Sequence, residues 1–233
     1  MIEVNNVSKR FLITKSLDNC SIKLETGKII GIIGENGSGK TTLLKLLSGL
    51  LRPSSGDVLI DSEKVTRRIS SKLAYLTDAD YYFPYFTIEE LIRYYESQFA
   101  DFDTEKALQI IDFMKLKLEQ KIKYLSKGNR NRLKIAVTLS RNAPYILLDE
   151  PFSGLDPLVR KAILKGMIQF VDLSTQTVLI TTHEIKEVEP ILDEVVLLRD
   201  GRVLVKQSVE EIREAYGLDI VSWMEKVYEK GDI

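Results

Sequence analysis

Short apolar runs and longer amphipathic stretches alternate along this chain. Lys28–Ile33, Tyr145–Leu148, Thr177–Thr181 and Glu194–Leu198 are rich in Ile, Val and Leu and show no polar alternation. That is the pattern of strands covered on both faces. Such runs separated by helical periodicity predict an α/β fold with a mostly parallel sheet. Between residues 79 and 142 the character changes to helix. Thr87 opens TIEELIRYYESQF with Glu90 three residues on, which makes a capping box. A second helix is expected over Thr104–Lys115 and a third over Gly128–Arg141. This stretch reads as a helical lobe inserted into the α/β core. Asp156 followed by Pro157 is an N-cap with proline in the first helical position, starting a helix toward Val171. Ser208 and Glu211 form another capping box, opening a last helix that runs through Trp223.

Composition narrows the picture. The 233 residues suffice for one large domain or two small lobes, with ample material for a core. No run of about 18 apolar residues occurs, so no spanning helix is expected, and the opening MIEVNNVSKRF lacks the apolar core of a secretory signal. A formal net charge of −1 gives no electrostatic reason to expect nucleic acid. Cys20 is the single cysteine and cannot form an internal disulfide, which makes a reducing cytoplasm the expected setting.

Candidate chemistry begins where Lys28–Ile33 runs into GENGSGKTTLLKLL. Gly34, Gly39, Lys40 and Thr41 match glycine, four residues, glycine, lysine, then serine or threonine, the spacing of a phosphate-binding loop. Glycines let successive backbone N–H groups converge on phosphate oxygens. The helix that starts near Gly39 adds its positive end. Lys40 would place a charge on the β and γ phosphates, and the Thr41 hydroxyl would ligate Mg²⁺. The alternative is a plain glycine-rich turn, but the buried strand before it and the amphipathic helix after it favour the phosphate reading.

YILLDE ends a strand with Asp149 and Glu150. Alone this is as often a solvated turn as a site. Beside a phosphate loop, Asp149 can serve the metal and Glu150 can act as general base toward water. His183, the single histidine, follows the strand TVLITT. It is either a structural hydrogen-bonder or an imidazole that meets the γ-phosphate and the attacking water.

Taken in order, these motifs resemble the nucleotide-binding subunits of ATP-binding-cassette transporters over nearly the whole chain. GENGSGKT resembles the family's Walker A, YILLD its Walker B, Ser153–Asp156 its D-loop and His183 its switch histidine. LSKGN at Leu125–Asn129 stands where the family keeps its signature LSGGQ. The resemblance implies a P-loop NTPase core with a mostly parallel sheet, an N-terminal antiparallel β part and an inserted helical lobe. Residues 1–78 and 143–233 would form the nucleotide-binding lobe, and 79–142 the helical lobe that carries the signature.

ATP and Mg²⁺ would be the cofactors. Gly34, Glu35, Asn36, Gly37, Ser38, Gly39, Lys40, Thr41 and Thr42 would bind ATP, with Phe11 stacking on adenine. Glu150 and His183 would be catalytic, and Thr41, Asp149 and Asp78 would serve the metal. Family members close head to tail around two nucleotides. Ser126, Lys127, Gly128 and Asn129 would therefore meet the partner's γ-phosphate, with Asp156 in the D-loop.

The implied partners are a separate integral membrane transporter subunit and a second cassette, either an identical or a sister chain, with no nucleic acid. The chain would sit in the cytoplasm at the inner face of the membrane, powering a transporter expected to export drugs, peptides or lipids.

Two departures stand out. Asp78 occupies or adjoins the family's glutamine, where an aspartate is shorter and charged yet still an oxygen ligand. In the signature, Lys127 replaces a glycine and Asn129 the glutamine. These changes favour a second reading, a nucleotide-gated dimerisation switch with little turnover, which the intact Glu150 and His183 oppose. A third reading, a soluble cassette acting on ribosomes or DNA, lacks the tandem cassettes or long coiled coils of such proteins. The aromatics YYFPYF, Tyr81–Phe86, are either core of the helical lobe or a docking surface for the membrane partner. Lys115–Lys134 holds eight basic residues against Glu119, a run read first as a solvated helix face.

Overall fold

A computed structural model describes residues 1–77 and 83–230. Asp78, Tyr81 and Tyr82 lie outside the described residues. Strands β1 (Ile2–Phe11) and β2 (Thr14–Leu24) form a hairpin, β3 (Ile29–Ile33) runs into α1 (Lys40–Leu47), and β4 (Ser55–Ile60) and β5 (Glu63–Lys64) follow. Next come β6 (Leu73–Leu76), α2 (Ile88–Gln98), α3 (Thr104–Phe113) and α4 (Lys127–Leu139). The chain continues through β7 (Tyr145–Asp149), α5 (Pro157–Phe170), β8 (Thr177–Thr181) and the short α6 (Ile185–Val188). It closes with β9 (Glu194–Arg199), β10 (Arg202–Ser208), α7 (Val209–Tyr216) and α8 (Ile220–Lys230).

The larger sheet has the order β10-β9-β3-β8-β7-β6. Its pairs from β9 to β6 are parallel, and β10 returns antiparallel to β9. A four-stranded antiparallel sheet, β2-β1-β4-β5, lies beside it. Every residue of β3, β7 and β8 is buried. Their side chains divide by parity between two cores. Ile30, Ile32, Leu147, Leu179, Val196 and Leu198 pack with the α1 leucines and the antiparallel sheet. Ile29, Ile33, Ile146, Leu148, Val178, Ile180, Val195 and Leu197 face the other way, onto the apolar sides of α2 to α5, α7 and α8. A continuous apolar run is what such a two-sided strand requires, so the absence of alternation in the sequence carried the right message. Because β7, β8 and β3 lie side by side and parallel, their carboxyl ends open on one crevice, the position at which open α/β sheets bind ligands.

Helix starts follow the cap chemistry. The Thr87 hydroxyl accepts from the Glu90 N–H at 3.1 Å and the Glu90 carboxylate accepts from the Thr87 N–H at 2.7 Å. Asp156 caps α5 through the N–H groups of Leu158 and Val159. The expected box at Ser208 does not form: Ser208 makes no side-chain cap bond, and Glu211 accepts from Gln207 instead. The expected single last helix is two. Gly217 ends α7 in the left-handed region at φ 62°, where glycine carries no Cβ penalty. Asp219 then accepts from the Ser222 N–H at 2.7 Å at the start of α8. The basic run is not one solvated face either, because Lys134 is buried in α4. Cys20 and Trp223 are both buried, and the Cys20 thiol donates to the Gly201 carbonyl.

Candidate nucleotide site

The phosphate loop spans the gap between β3 and α1. Gly34 and Gly39 take φ of 148° and 104°, which side chains with a Cβ rarely adopt. A Cβ on Gly39 would also lie 2.6 Å from Leu17 Cδ2 and 2.7 Å from the Ser16 carbonyl. Lys40 folds back over its own loop, donating to the Gly34 carbonyl at 2.8 Å and the Glu35 carbonyl at 3.0 Å. Burial holds its ammonium below the usual lysine range, against the opposing pull of Glu150 and Asp149. The buried Ser38 hydroxyl has no hydrogen-bond partner. A cavity of about 260 Å³ opens here, lined by Ser16, Asn36, Gly37, Gly39, Lys40, Thr41, Thr42 and Glu150. A buried cation hydrogen-bonded to backbone carbonyls, an orphaned hydroxyl and glycines at left-handed φ form a cradle that suits a polyphosphate.

Asp149 is wholly buried at the end of β7. Its Oδ1 accepts from Thr41 at 3.0 Å and from Thr181 at 2.7 Å, and its Oδ2 accepts from the Tyr75 hydroxyl at 3.0 Å. Thr41 and Asp149, expected to serve a metal from positions 108 residues apart, therefore touch directly. Among the described residues no three His, Cys, Asp or Glu side chains gather into a closed metal cage. That donor set fits a hard cation that takes most of its ligands from phosphate and water.

Glu150 adopts φ 48°. Its N–H is held by the Thr181 carbonyl at 3.1 Å and the Thr181 hydroxyl at 3.0 Å, and its Oε2 lies 2.8 Å from His183 Nδ1. The structure thus brings the acid and the histidine together across 33 residues. With the shared proton on Nδ1, Nε2 is the unprotonated ring nitrogen, and Glu184 Oε1 lies 4.0 Å from it.

The other expected residues sit farther out. Phe11 is half-exposed at the β1–β2 hairpin tip, with the Lys9 ammonium 5.1 Å from its ring centre. It does not line the cavity, although Ser16 on the same hairpin bonds Thr42 there at 2.8 Å. Ser126 is exposed and caps α4, its hydroxyl accepting from the Asn129 N–H at 3.2 Å. Lys127 is exposed, and its ammonium lies over Gly154 in the D-loop. Gly128 sits against Val159 of α5. The segments read as signature and D-loop are therefore neighbours within one chain, and neither lines the phosphate-loop cavity. Tyr75, Thr181 and Arg160 escaped the sequence reading, for no motif marks them. Phe83 and Tyr85 are exposed, while Phe86 packs partly against the core.

Comparison with known proteins places these motifs in context. The model of a family described as ABC transporter matches residues 17–153. A putative ABC transporter ATP-binding protein of Methanosarcina acetivorans is 36% identical over 87% of this chain and 74% of its own length. The petrobactin import ATP-binding protein YclP of Bacillus subtilis is 30% identical over 98% of this chain and 93% of its own. Among solved structures, the ATP-binding subunit of an ABC transporter superposes with a TM-score of 0.82 at 25% identity, covering 99% of this chain and 98% of that one. A dimeric cassette in a post-hydrolysis state bound to ADP and Pi gives a TM-score of 0.79 at 24% identity, over 89% of this chain and 98% of that one.

Proposed function

The chain belongs to the ABC transporter family of ATP-binding proteins, and from that premise we propose that it hydrolyses ATP as the engine of a membrane transporter, closing head to tail with a second cassette. The observation that carries the hydrolytic reading is the meeting, at one crevice, of Lys40, the Thr41–Asp149 pair and the Glu150–His183 pair. Lys40 and the loop from Gly34 to Thr42 would hold the polyphosphate. Phe11 would meet the adenine. Thr41 and Asp149 would hold Mg²⁺, which supplies charge neutralisation on the phosphate oxygens when bound; Asp78 is proposed beside them.

Glu150 Oε2 would take the proton of the attacking water. His183, its Nδ1 engaged with Glu150, would fix that carboxylate and offer Nε2 toward the γ-phosphate. The helical stretch expected over residues 79–142 would act as a lobe presenting Ser126, Lys127, Gly128 and Asn129 to the nucleotide of the second cassette. Asp156, capping α5, would hold the D-loop at the same face. No helix among the described residues is long and apolar enough to cross a membrane; the proposal includes a separate membrane-spanning subunit with this chain at its cytoplasmic face. One relative, matched over 98% of this chain, is a petrobactin import protein. The proposal is therefore for transport, with export of drugs, peptides or lipids as its narrower form.

The test is Mg²⁺-dependent ATP turnover by the purified chain beside Glu150→Gln. Turnover that disappears in the variant while nucleotide binding persists supports the reading. Turnover that survives in Glu150→Gln removes Glu150 as the base.

A further inference from the structure

The Glu150–His183 pair has a neighbour that no motif announces. Arg160 stands in the first turn of α5, and its side chain turns back off the helix. Nε donates to the Leu155 carbonyl of the D-loop at 2.8 Å. Nη1 pairs with Glu184 Oε2 at 2.6 Å and lies 3.5 Å from Glu187 Oε1. Glu184 directly follows His183, and its other oxygen, Oε1, is 4.0 Å from His183 Nε2. The imidazole is therefore flanked by two carboxylates: Glu150 on Nδ1 at 2.8 Å and Glu184 beyond Nε2. Both the Arg160 and Glu184 side chains are largely buried, each below one-fifth exposed. A charge of either sign left alone there would be costly.

We propose that Arg160 is a positioning residue for the proposed hydrolytic site: it holds Glu184 away from His183, so that the imidazole pairs with Glu150 and keeps Nε2 free. The inference rests on the hydrolytic reading above for its kinetic consequence, but the contact chain stands independently of it. With Arg160 neutralised, Glu184 carries an unpaired charge next to a ring nitrogen that can become a donor. It then competes with Glu150 for the imidazole, and Glu187 adds negative charge on the same side. The charge of Arg160 is what the task needs: Nε donates to the D-loop carbonyl while Nη1 stays within ion-pair distance of the carboxylate. This anchors the loop after β7 to the loop after β8.

The presence of a single histidine makes the test clean. Its ring resonances can be followed by NMR in the full chain without assignment ambiguity. In Arg160→Gln we expect kcat to fall roughly tenfold, a part of the 10²–10⁴ that a positioned base contributes, while the Kd for ATP stays within about twofold. The His183 ring resonances should move as they do in Glu150→Gln. The second variant decides between positioning and mere structure. Adding Glu184→Gln removes the rival carboxylate, so the double variant should recover kcat and ring resonances to within about threefold and near the unmutated positions, respectively.

Unchanged kcat and resonances in Arg160→Gln, or a double variant worse than the single, overturns the proposal. Should Arg160→Gln fail to fold, Arg160→Lys keeps the charge on Glu184 and should stay near the unmutated rate; a loss there with displaced resonances and an intact melting temperature also overturns it. If the unmutated protein shows no turnover, the hydrolytic reading falls, and the resonances alone still decide whether Arg160 governs the pairing of His183.

Discussion

Glu150 occupies the left-handed region at φ 48°, where a non-glycine residue costs of order 1–3 kcal/mol unless its surroundings over-determine it. Thr181 supplies that determination, holding the Glu150 N–H with its carbonyl and hydroxyl while donating to Asp149. Glu150→Gln keeps the side chain's size and the backbone bonds, so we expect an unchanged fold, retained nucleotide binding and a loss of turnover of at least about a hundredfold. Steady-state kinetics beside a binding titration check this. Lys40 gives a pH signature. Burial lowers its pKa, whereas bound phosphate favours the charged form, so binding above the lowered value must take up a proton. Affinity should be flat near neutrality and fall about tenfold per pH unit once the pH passes that value, below the ordinary lysine value of about 10.4. Calorimetry in two buffers of different ionisation enthalpy would count the proton; affinity that begins to fall only above the ordinary lysine value would refute it. Lys40, Thr41, Asp149, Glu150 and His183 were legible because each ends or follows a buried strand inside a short, ordered motif. Tyr75 and Arg160 were not. Their contacts with Asp149 and Glu184 are made only when separate strand ends converge, and a lone tyrosine or arginine carries no local sign of that.

At the scale of elements, cap chemistry separates what sequence can and cannot decide. Thr87 and Ser208 present the same pattern, a hydroxyl residue with glutamate three positions on, yet only Thr87 closes its box. At Ser208 the adjacent Gln207 takes the Glu211 carboxylate, and β10 delivers the chain to α7 without any side-chain cap. Thr87→Ala should therefore cost about 1 kcal/mol, lowering the melting temperature by about 2–4 °C for a chain of this size. Ser208→Ala should leave it unchanged within error. Equal shifts in a thermal melt would contradict the observed capping. The buried strands were legible for a firmer reason, since a two-sided strand must be apolar at both parities, and β3, β7 and β8 are. The break at Gly217–Asp219 was missed because the amphipathic pattern continues across it, and a glycine alone does not distinguish a helix end from a tolerated interior residue.

For the whole molecule, the decisive feature is that Ser126, Lys127 and Gly128 do not line their own chain's phosphate-loop cavity. Its phosphate loop lies at the end of β3, whereas Ser126, Lys127 and Gly128 gather with the D-loop at the start of α4 and α5. Ser126 and Lys127 are exposed there, and Lys127 has no ion-pair partner among the described residues. If two chains close head to tail, each site combines the phosphate loop of one with the signature of the other. Mixing two inactive proteins tests this without any structure of the dimer. In a mixed dimer of Lys40→Ala with Ser126→Ala, a shared arrangement places both defects in one site and leaves the other intact. With equal amounts, about half the dimers are mixed and each holds one good site of two, so turnover should return to about a quarter of the unmutated level. A signature that serves its own chain's phosphate loop gives the opposite result, because every site then carries one defect and mixing restores nothing. Recovery must also rise with protein concentration, since the intact site exists only in the pair.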